Sequence, residues 1–154
     1  MIDTSIARQV HCTGGFELPC SVDVAFPLFS PEGERPWAPG WNPKPVFPET
    51  IDFAANTVFR QGEGADEAIW TILAVDWRTQ TAEYFRVAPA SHTARIRVHV
   101  EPAGQDRSRV AITYDVTAFG PHASQVLDSF SEHAFAGRMQ DWQRWISECL
   151  VVRA

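Results

Sequence analysis

The side chains best suited to chemistry in this 154-residue chain are two tyrosines and an arginine in strand-like segments. Tyr114 shares the apolar positions of its segment, so its hydroxyl could enter an interior space as a donor or weak acid, although a core tyrosine with a satisfied hydroxyl is commoner. Tyr84 and Arg86 are two residues apart in another strand-like segment, so their side chains lie on the same face of it. An inward Arg86 would anchor a carboxylate, but we expect it to point outward because charges are seldom buried.

The stretch from Ser30 to Pro43 places Trp37 and Trp41 in a segment that is neither helix nor strand. Its four prolines and two glycines prevent regular structure, yet linkers rarely carry two large indole rings. We predict an ordered loop whose tryptophans either cap the core or contact a ligand. Glu34 and Arg35 could form an ion pair that holds this loop shut, or a solvated surface pair of little energetic consequence.

The histidines and the known short motifs give no sign of a metal or cofactor site. No Gly-x-Ser-x-Gly, Walker or Gly-x-Gly-x-x-Gly motif is present, which argues against serine hydrolases and nucleotide enzymes of those types. No two histidines have the spacing of a compact metal site, so we expect no metal and no cofactor. The histidines are His11, His92, His99, His122 and His133.

Composition excludes several classes of protein. The net charge of -6 and the single lysine, Lys44, argue against a nucleic-acid partner, which needs clustered basic side chains. No window approaches the ~18 consecutive apolar residues of a membrane span. The three cysteines show no Cys-x-x-Cys spacing and follow no secretory leader, so we expect a cytoplasmic protein. The length suits one domain over residues 1–154 and leaves the oligomeric state open, with a dimer among the options.

The elements that must position these residues are mostly short strands. Hairpin-length connections leave no room for crossovers and therefore predict an antiparallel meander. Gly14 and Gly15 in the first strand suggest a bulge or tight curvature. Trp70 lies in a segment that is apolar on both faces, so the register of that segment stays open. The predicted strands are His11 to Leu18, Thr57 to Gln61, Ala68 to Asp76, Ala82 to Ala88, Ala94 to Glu101 and Arg109 to Phe119.

Two helical segments flank this strand pattern. Ser21 can cap a short helix that extends to Phe29, and Pro27 must keep that helix short or bend it. The longest helical pattern runs from Ser124 to Val151, about 28 residues and so about 42 Å. Its apolar stripe changes face partway along, which predicts a bend near Gly137.

The long helical pattern also supplies candidate site residues. Phe130, Ala134 and Gly137 lie along one side, where small side chains would leave room for a ligand, although core packing is the usual role of such a stripe. A second stripe is predicted to be core. Its members are Phe135, Met139, Trp142 and Ile146.

Several local motifs and the order of the elements resemble a known superfamily. The motifs are Phe26-Pro27-Leu28-Phe29, Trp37-x-Pro39-Gly40-Trp41-x-Pro43, Thr57-Val58-Phe59-Arg60, Thr113-Tyr114-x-x-Thr117-Ala118 and Trp142. From about Phe16 to Leu150 the chain resembles the START/Bet v 1-like (SRPBCC) superfamily, specifically its polyketide cyclase/dehydrase and lipid-transport group. The resemblance implies an α+β helix-grip fold, in which a curved antiparallel β-sheet wraps around a long C-terminal α-helix and short helices follow the first strand.

The resemblance also implies a cavity for an apolar small molecule between sheet and helix. The leading hypothesis is binding, or transport, of a hydrophobic or amphipathic molecule such as a lipid, polyketide or aromatic metabolite. The alternatives are a cyclase or dehydratase acting in the same cavity and a protein-interaction module with a collapsed cavity. No catalytic residue is assigned, because fold does not fix function. The candidate ligand contacts are Trp37, Trp41, Trp70, Tyr84, Arg86, Tyr114, Phe130 and Ala134.

Overall fold

A seven-stranded antiparallel sheet forms the body of the protein in a computed structural model that describes residues 1–153. The strands are β1 Arg8–Leu18, β2 Lys44–Phe47, β3 Val58–Gln61, β4 Ala68–Asp76, β5 Thr81–Ala88, β6 His92–Pro102 and β7 Ser108–Ala118. Their order across the sheet is β1-β7-β6-β5-β4-β3-β2, so consecutive strands pair from β2 onward and β1 adds beside β7. The predicted meander is confirmed.

The helices lie at two places in the chain. After β1 come α1, Val22–Ala25, and a 3-10 turn, Phe26–Phe29. After β7 come α2, Ala123–Ser129, and the 22-residue α3, Glu132–Arg153. Within residues 1–153, no helix is both long enough and apolar enough to cross a membrane.

The single C-terminal helix with a bend near Gly137 was a wrong prediction. The helical pattern breaks at Phe130 and Ser131, because Ser131 starts a new helix there. Its hydroxyl accepts a hydrogen bond from the backbone N–H of Ala134 at 3.2 Å, and its carbonyl accepts one from Phe135. The stripe of Phe130, Ala134 and Gly137 therefore spans the break, with only Phe130 before α3, and α3 passes Gly137 without interruption.

The inner face of the sheet carries the core and faces α3. On β6, Ala94, Ile96 and Val98 are buried, whereas the intervening Arg95 is exposed and pairs with Glu83 at 2.8 Å. The open register of β4 is resolved by the buried set Ala68, Trp70 and Ile72 on the same inner face.

The edge strand β2 was not predicted. It lies between Pro43 and Pro48 and contains Pro45, which pairs opposite Phe59 of β3. Proline cannot donate to a ladder, so sequence patterns place it outside strands, but an edge strand tolerates it on its unpaired side. All four residues of β2 are exposed.

Gly14 and Gly15 produce close packing rather than the suggested bulge, because the β1–β7 pairing has no register shift. A Cβ at Gly15 would lie 2.2 Å from the carbonyl oxygen of Val110 on β7. A Cβ at Gly14 would lie 3.1 Å from side-chain atoms of Met139 and Phe135 on α3. The two glycines therefore let β1 approach β7 and α3 at once.

Gly15→Ala is expected to lower the free energy of unfolding by about 1–3 kcal/mol, because backbone must move to admit the methyl group. Gly137→Ala is the matched control, since no atom lies within 4 Å of a Cβ there. That change in a helix interior is expected to stabilise by roughly 0.5–1 kcal/mol. Urea unfolding measures both, and a Gly15→Ala protein as stable as the wild type would contradict the close approach of β1 and β7.

Candidate functional site

A cavity of about 850 Å³ lies between the inner face of the sheet and α3. Its volume falls within the ~300–1,000 Å³ that is usual for small-molecule sites. All eight side chains singled out from the sequence line this one cavity, and their contact with a ligand stays a prediction. They are Trp37, Trp41, Trp70, Tyr84, Arg86, Tyr114, Phe130 and Ala134.

Aromatic rings pack against one another to form one wall of the cavity. The Trp70 ring stacks on Phe59 with centroids 5.7 Å apart and receives Trp41 edge-on at 5.3 Å. Tyr84 continues the row, with its ring centroid 6.2 Å from that of Trp70. Such ring pairs are worth about 0.5–1.5 kcal/mol each beyond burial, so this wall is held in shape before any ligand arrives.

The loop between Ser30 and Pro43 covers the cavity and is tied down by its tryptophans. The indole N–H of Trp37 donates to the carbonyl of Leu28 at 2.8 Å, and that of Trp41 donates to the carbonyl of Pro31 at 2.8 Å. Trp37 is 5% exposed, whereas Trp41 is half-buried. Both rings close the core and also line the cavity, so the two predicted roles are compatible.

Glu34 and Arg35 do not pair with each other, so neither of the two arrangements considered from the sequence is formed. Arg35 pairs with Glu32 at 2.7 Å and donates to Asn42 and to the carbonyl of Pro43, joining the two ends of the loop. The backbone coils in successive turns, because the N–H of Glu34 donates to Ser30 and the N–H of Ala38 donates to Glu34. Residues three or four apart therefore share a side, and neighbours point different ways.

This turn spacing directs one side of the loop into the cavity. Glu34, Trp37, Ala38 and Trp41 follow at intervals of three, one and three residues, and all four line the cavity. Burial raises the pKa of the Glu34 carboxyl well above its usual value. The loop thus contributes an acid that holds its proton to higher pH than an exposed glutamate does.

Arg86 points into the cavity, so the expectation of an outward arginine is wrong. Tyr84 and Ala88, two residues before and after it in β5, are both buried. Because alternate residues of a strand face the same way, Arg86 faces inward with them. The Arg86 guanidinium carbon lies 5.1 Å from the centroid of the Trp70 ring and 5.8 Å from that of Tyr114. Burial lowers the pKa of Arg86, and its Nε is buried with no hydrogen-bond partner.

The two tyrosines have different surroundings. The Tyr84 hydroxyl donates to the carbonyl of Phe29 at 2.5 Å, tying β5 to the 3-10 turn below the loop. The Tyr114 ring packs on Phe130 at 5.3 Å and on Phe135 at 5.7 Å. Burial raises the pKa of both hydroxyls, and for Tyr114 the nearby Arg86 charge opposes that rise.

His92 is a cavity residue that sequence reasoning considered only as a metal ligand. It has the same parity on β6 as the buried Ala94, and that alternation could have placed it inward. Its Nδ1 lies 2.8 Å from the hydroxyl of Ser91, and its Nε2 is buried without a partner. Burial, followed by the Arg86 charge, lowers the pKa of His92 to about 4, so the ring is neutral at pH 7.

The long helix and its start add further cavity residues. Phe130 lies in the break between α2 and α3 rather than along a continuous helix. Trp142, predicted to be core, is half-buried, lines the cavity and meets Trp37 edge-on at 5.7 Å. Arg138 was not singled out, and its guanidinium carbon lies 4.5 Å from the Phe130 ring centroid while it donates to the carbonyl of Ser129. Arg138 follows Ala134 by four residues, and this spacing, which places both on one side of a helix, could have identified it.

In the part of the chain that the structure describes, no group of three or more His, Cys, Asp or Glu side chains is placed to hold a metal ion. The ionisable side chains that line the cavity are three acids, two tyrosines, two histidines and two arginines. Such a set can orient a polar ligand group or exchange a proton with it.

Comparison with known proteins places the chain by its structure. No family model and no curated protein matches the sequence. Norcoclaurine synthase from Thalictrum flavum superposes with a TM-score of 0.67 at 14% identity, over 96% of this chain and 98% of that one. Major latex-like protein 151 from Panax ginseng gives 0.63 at 16% identity, over 92% and 96% of the two chains. This protein has the Bet v 1-like helix-grip fold.

A third helix-grip neighbour is the Zhui aromatase/cyclase from Streptomyces sp. R1128, with a TM-score of 0.59 at 11% identity over 88% of this chain and 92% of that one. The predicted START/Bet v 1-like fold is confirmed by these three. At such identities the likeness concerns the fold and carries no activity from one chain to the other.

Glu34→Gln is expected to change how stability depends on pH. Because the folded pKa of Glu34 is raised above 4.5, folding favours its protonated form, and the wild type loses stability as pH rises from about 4.5 to that raised pKa. Glu34→Gln removes this loss. The variant should therefore be more stable than the wild type at neutral pH, by about 1.4 kcal/mol for each pH unit by which folding raises the pKa of Glu34.

Urea unfolding between pH 4 and 8 measures this difference. Glu49→Gln, an exposed site, is the matched control and should follow the wild-type pH profile. A Glu34→Gln profile parallel to that of the wild type would show that the carboxyl is solvated.

Proposed function

We propose that this protein binds a hydrophobic or amphipathic small molecule, such as a lipid, polyketide or aromatic metabolite, in the cavity between the sheet and α3. The observation that carries the proposal is the cavity of about 850 Å³ with aromatic and small apolar walls and a few polar groups. This is the usual make-up of a ligand site, in which apolar walls supply affinity and polar groups fix orientation.

The rigidity of the cavity supports a binding role. Trp37 and Trp41 are each held by a hydrogen bond to backbone, and Arg35 joins the two ends of the covering loop. A ligand that enters a preformed site loses less free energy to ordering the protein. The space is therefore maintained without its occupant.

Helix-grip neighbours support a small aromatic or polyketide-like occupant. Norcoclaurine synthase from Thalictrum flavum has been crystallised with dopamine and hydroxybenzaldehyde. The Streptomyces neighbour is an aromatase/cyclase. The same fold holds small aromatic compounds in norcoclaurine synthase, which supports an aromatic ligand for the cavity of this protein.

A second candidate function is catalysis of the cyclase or dehydratase type. It is favoured by the presence of several titratable groups around one cavity, among them Glu34, Tyr114 and His92. A carboxyl that holds its proton is suited to donate it, and a neutral imidazole is suited to accept one. Under this proposal Glu34→Gln would bind ligand normally and turn it over more slowly. The third reading, an interaction module with a collapsed cavity, is disfavoured by the open volume.

Binding can be measured with the neutral fluorescent probe N-phenyl-1-naphthylamine and by quenching of the cavity tryptophans. We expect saturable binding to the wild type. Gly137→Leu should weaken it at least about tenfold, because a side chain there extends into open space at the cavity wall and occupies ligand volume. The tryptophans that report are Trp37, Trp41, Trp70, Trp142 and Trp145.

Glu148→Leu is the matched control, because it adds a similar side chain to an exposed position of α3. It should bind the probe as the wild type does. Equal binding by Gly137→Leu, or the absence of saturable binding by the wild type, would contradict the proposal that this cavity takes the ligand.

A further inference from the structure

Three buried polar atoms without a hydrogen-bond partner belong to residues that line the cavity. They are Nε1 of Trp70, Nε of Arg86 and Nε2 of His92. Within residues 1–153, only one other buried side-chain nitrogen or oxygen is in this condition, Oγ of Ser108. Buried polar groups are nearly always paired, so three at one cavity mark a place where a partner belongs.

The register of the sheet brings these groups together. Trp70 and Arg86 are directly opposite each other on β4 and β5, and Ala94 on β6 is the next residue in that row. His92 on β6 lies opposite Ala88 of β5, and Ala88 is two residues from Arg86 on the same face of the sheet.

Arg86 has no counter-ion among the residues the structure describes, since its charged group forms none of the ion pairs within 4.0 Å. The same holds for Arg138, the second arginine of the cavity. Of the acids that line the cavity, Asp141 pairs with Arg144 at 3.2 Å. A buried charge is normally paired, because the loss of its hydration must be offset.

The aromatic neighbours of Arg86 stabilise its charge but do not neutralise it. Trp70 on β4 and Tyr114 on β7 lie on opposite sides of β5 in the sheet, and each ring centroid is within 6 Å of the guanidinium carbon. The Tyr114 hydroxyl is a neutral hydrogen-bond partner of Arg86, and the remaining N–H groups of the guanidinium are the place for a charged oxygen partner. A carboxylate matches a guanidinium, because both groups are planar and can form two parallel hydrogen bonds.

His92 can extend this arrangement. A Ser91 hydroxyl that donates to Nδ1 leaves the proton of the neutral ring on Nε2, and Nε2 then joins the Trp70 indole N–H as a donor. The three unpaired atoms would all be donors, which suits an acceptor with several lone pairs.

We propose that the ligand of this cavity carries a carboxylate, which Arg86 binds at the inner face of β5 with Trp70 and His92 as additional donors. The inference rests on the proposed binding function and narrows its ligand to an amphipathic carboxylic acid. The apolar part of that acid lies along the aromatic wall of Trp41 and Phe59.

The test compares matched acid and alcohol probes at pH 7.5. The pairs are 2-naphthoate with 2-(hydroxymethyl)naphthalene and decanoate with 1-decanol, with binding followed by tryptophan fluorescence and calorimetry. The wild type should bind the acid of at least one pair about tenfold more tightly than the alcohol, as expected for a charge-assisted contact that the alcohol cannot make. Arg86→Met should weaken acid binding by about tenfold and alter alcohol binding less than about threefold.

Arg97→Met is the matched control, because Arg97 is exposed on the outer face of β6 beside Glu83. It should keep the wild-type preference. Arg86→Met removes an unpaired buried charge and is expected to fold. A thermal unfolding midpoint that the acid raises in the wild type but not in Arg86→Met would report the same contact without a binding signal.

The outcomes separate this inference from the proposed function. Equal affinity for acid and alcohol in the wild type, or equal loss of both in Arg86→Met, would overturn the carboxylate site and leave the binding function standing. No binding of any of the four probes by the wild type, together with no binding of N-phenyl-1-naphthylamine, would overturn both.

Discussion

Each strand of the sheet must send every second side chain toward α3, and this constraint determines what lines the cavity. On β5 it places Arg86 between the inward-facing Tyr84 and Ala88, and on β6 it turns His92 to the same side as Ala94. A slip of one residue would expose the whole apolar set of these strands. The sheet therefore holds a charged and a neutral polar group inside, against their preference for water.

Cation–π contact offsets part of the cost of the inward arginine. Such contacts contribute about 0.5–2 kcal/mol each, whereas the effective cost of burying an unpaired charge is several kcal/mol. The rings of Trp70 and Tyr114 therefore do not balance the charge of Arg86 alone. An anionic group on a bound ligand would complete the compensation, and so the structural cost and the proposed ligand chemistry have one explanation.

The pattern of the sequence was sufficient for the meander and the inner face, because alternation on β6 and β7 and hairpin-length turns are local signals. It was insufficient for β2, because the prolines around Pro45 argue against a strand and the edge position that tolerates them is not visible in the sequence. It also missed the break at Ser131, because a serine that starts a new helix cannot be distinguished by sequence from a serine inside one continuous helix. Glu34 could not be oriented, because the backbone hydrogen bonds that turn it inward lie in a proline-rich loop for which the sequence predicted no regular structure.

We propose a ligand site, rather than a packing fault, in the space between the sheet and α3. Native mass spectrometry of gently purified protein tests this most directly. We expect a population heavier than the bare chain by one small organic molecule, which collisional activation releases and which is detected as a carboxylate in negative-ion mode. A single population at the mass of the bare chain, unchanged after incubation with a metabolite extract, would contradict it.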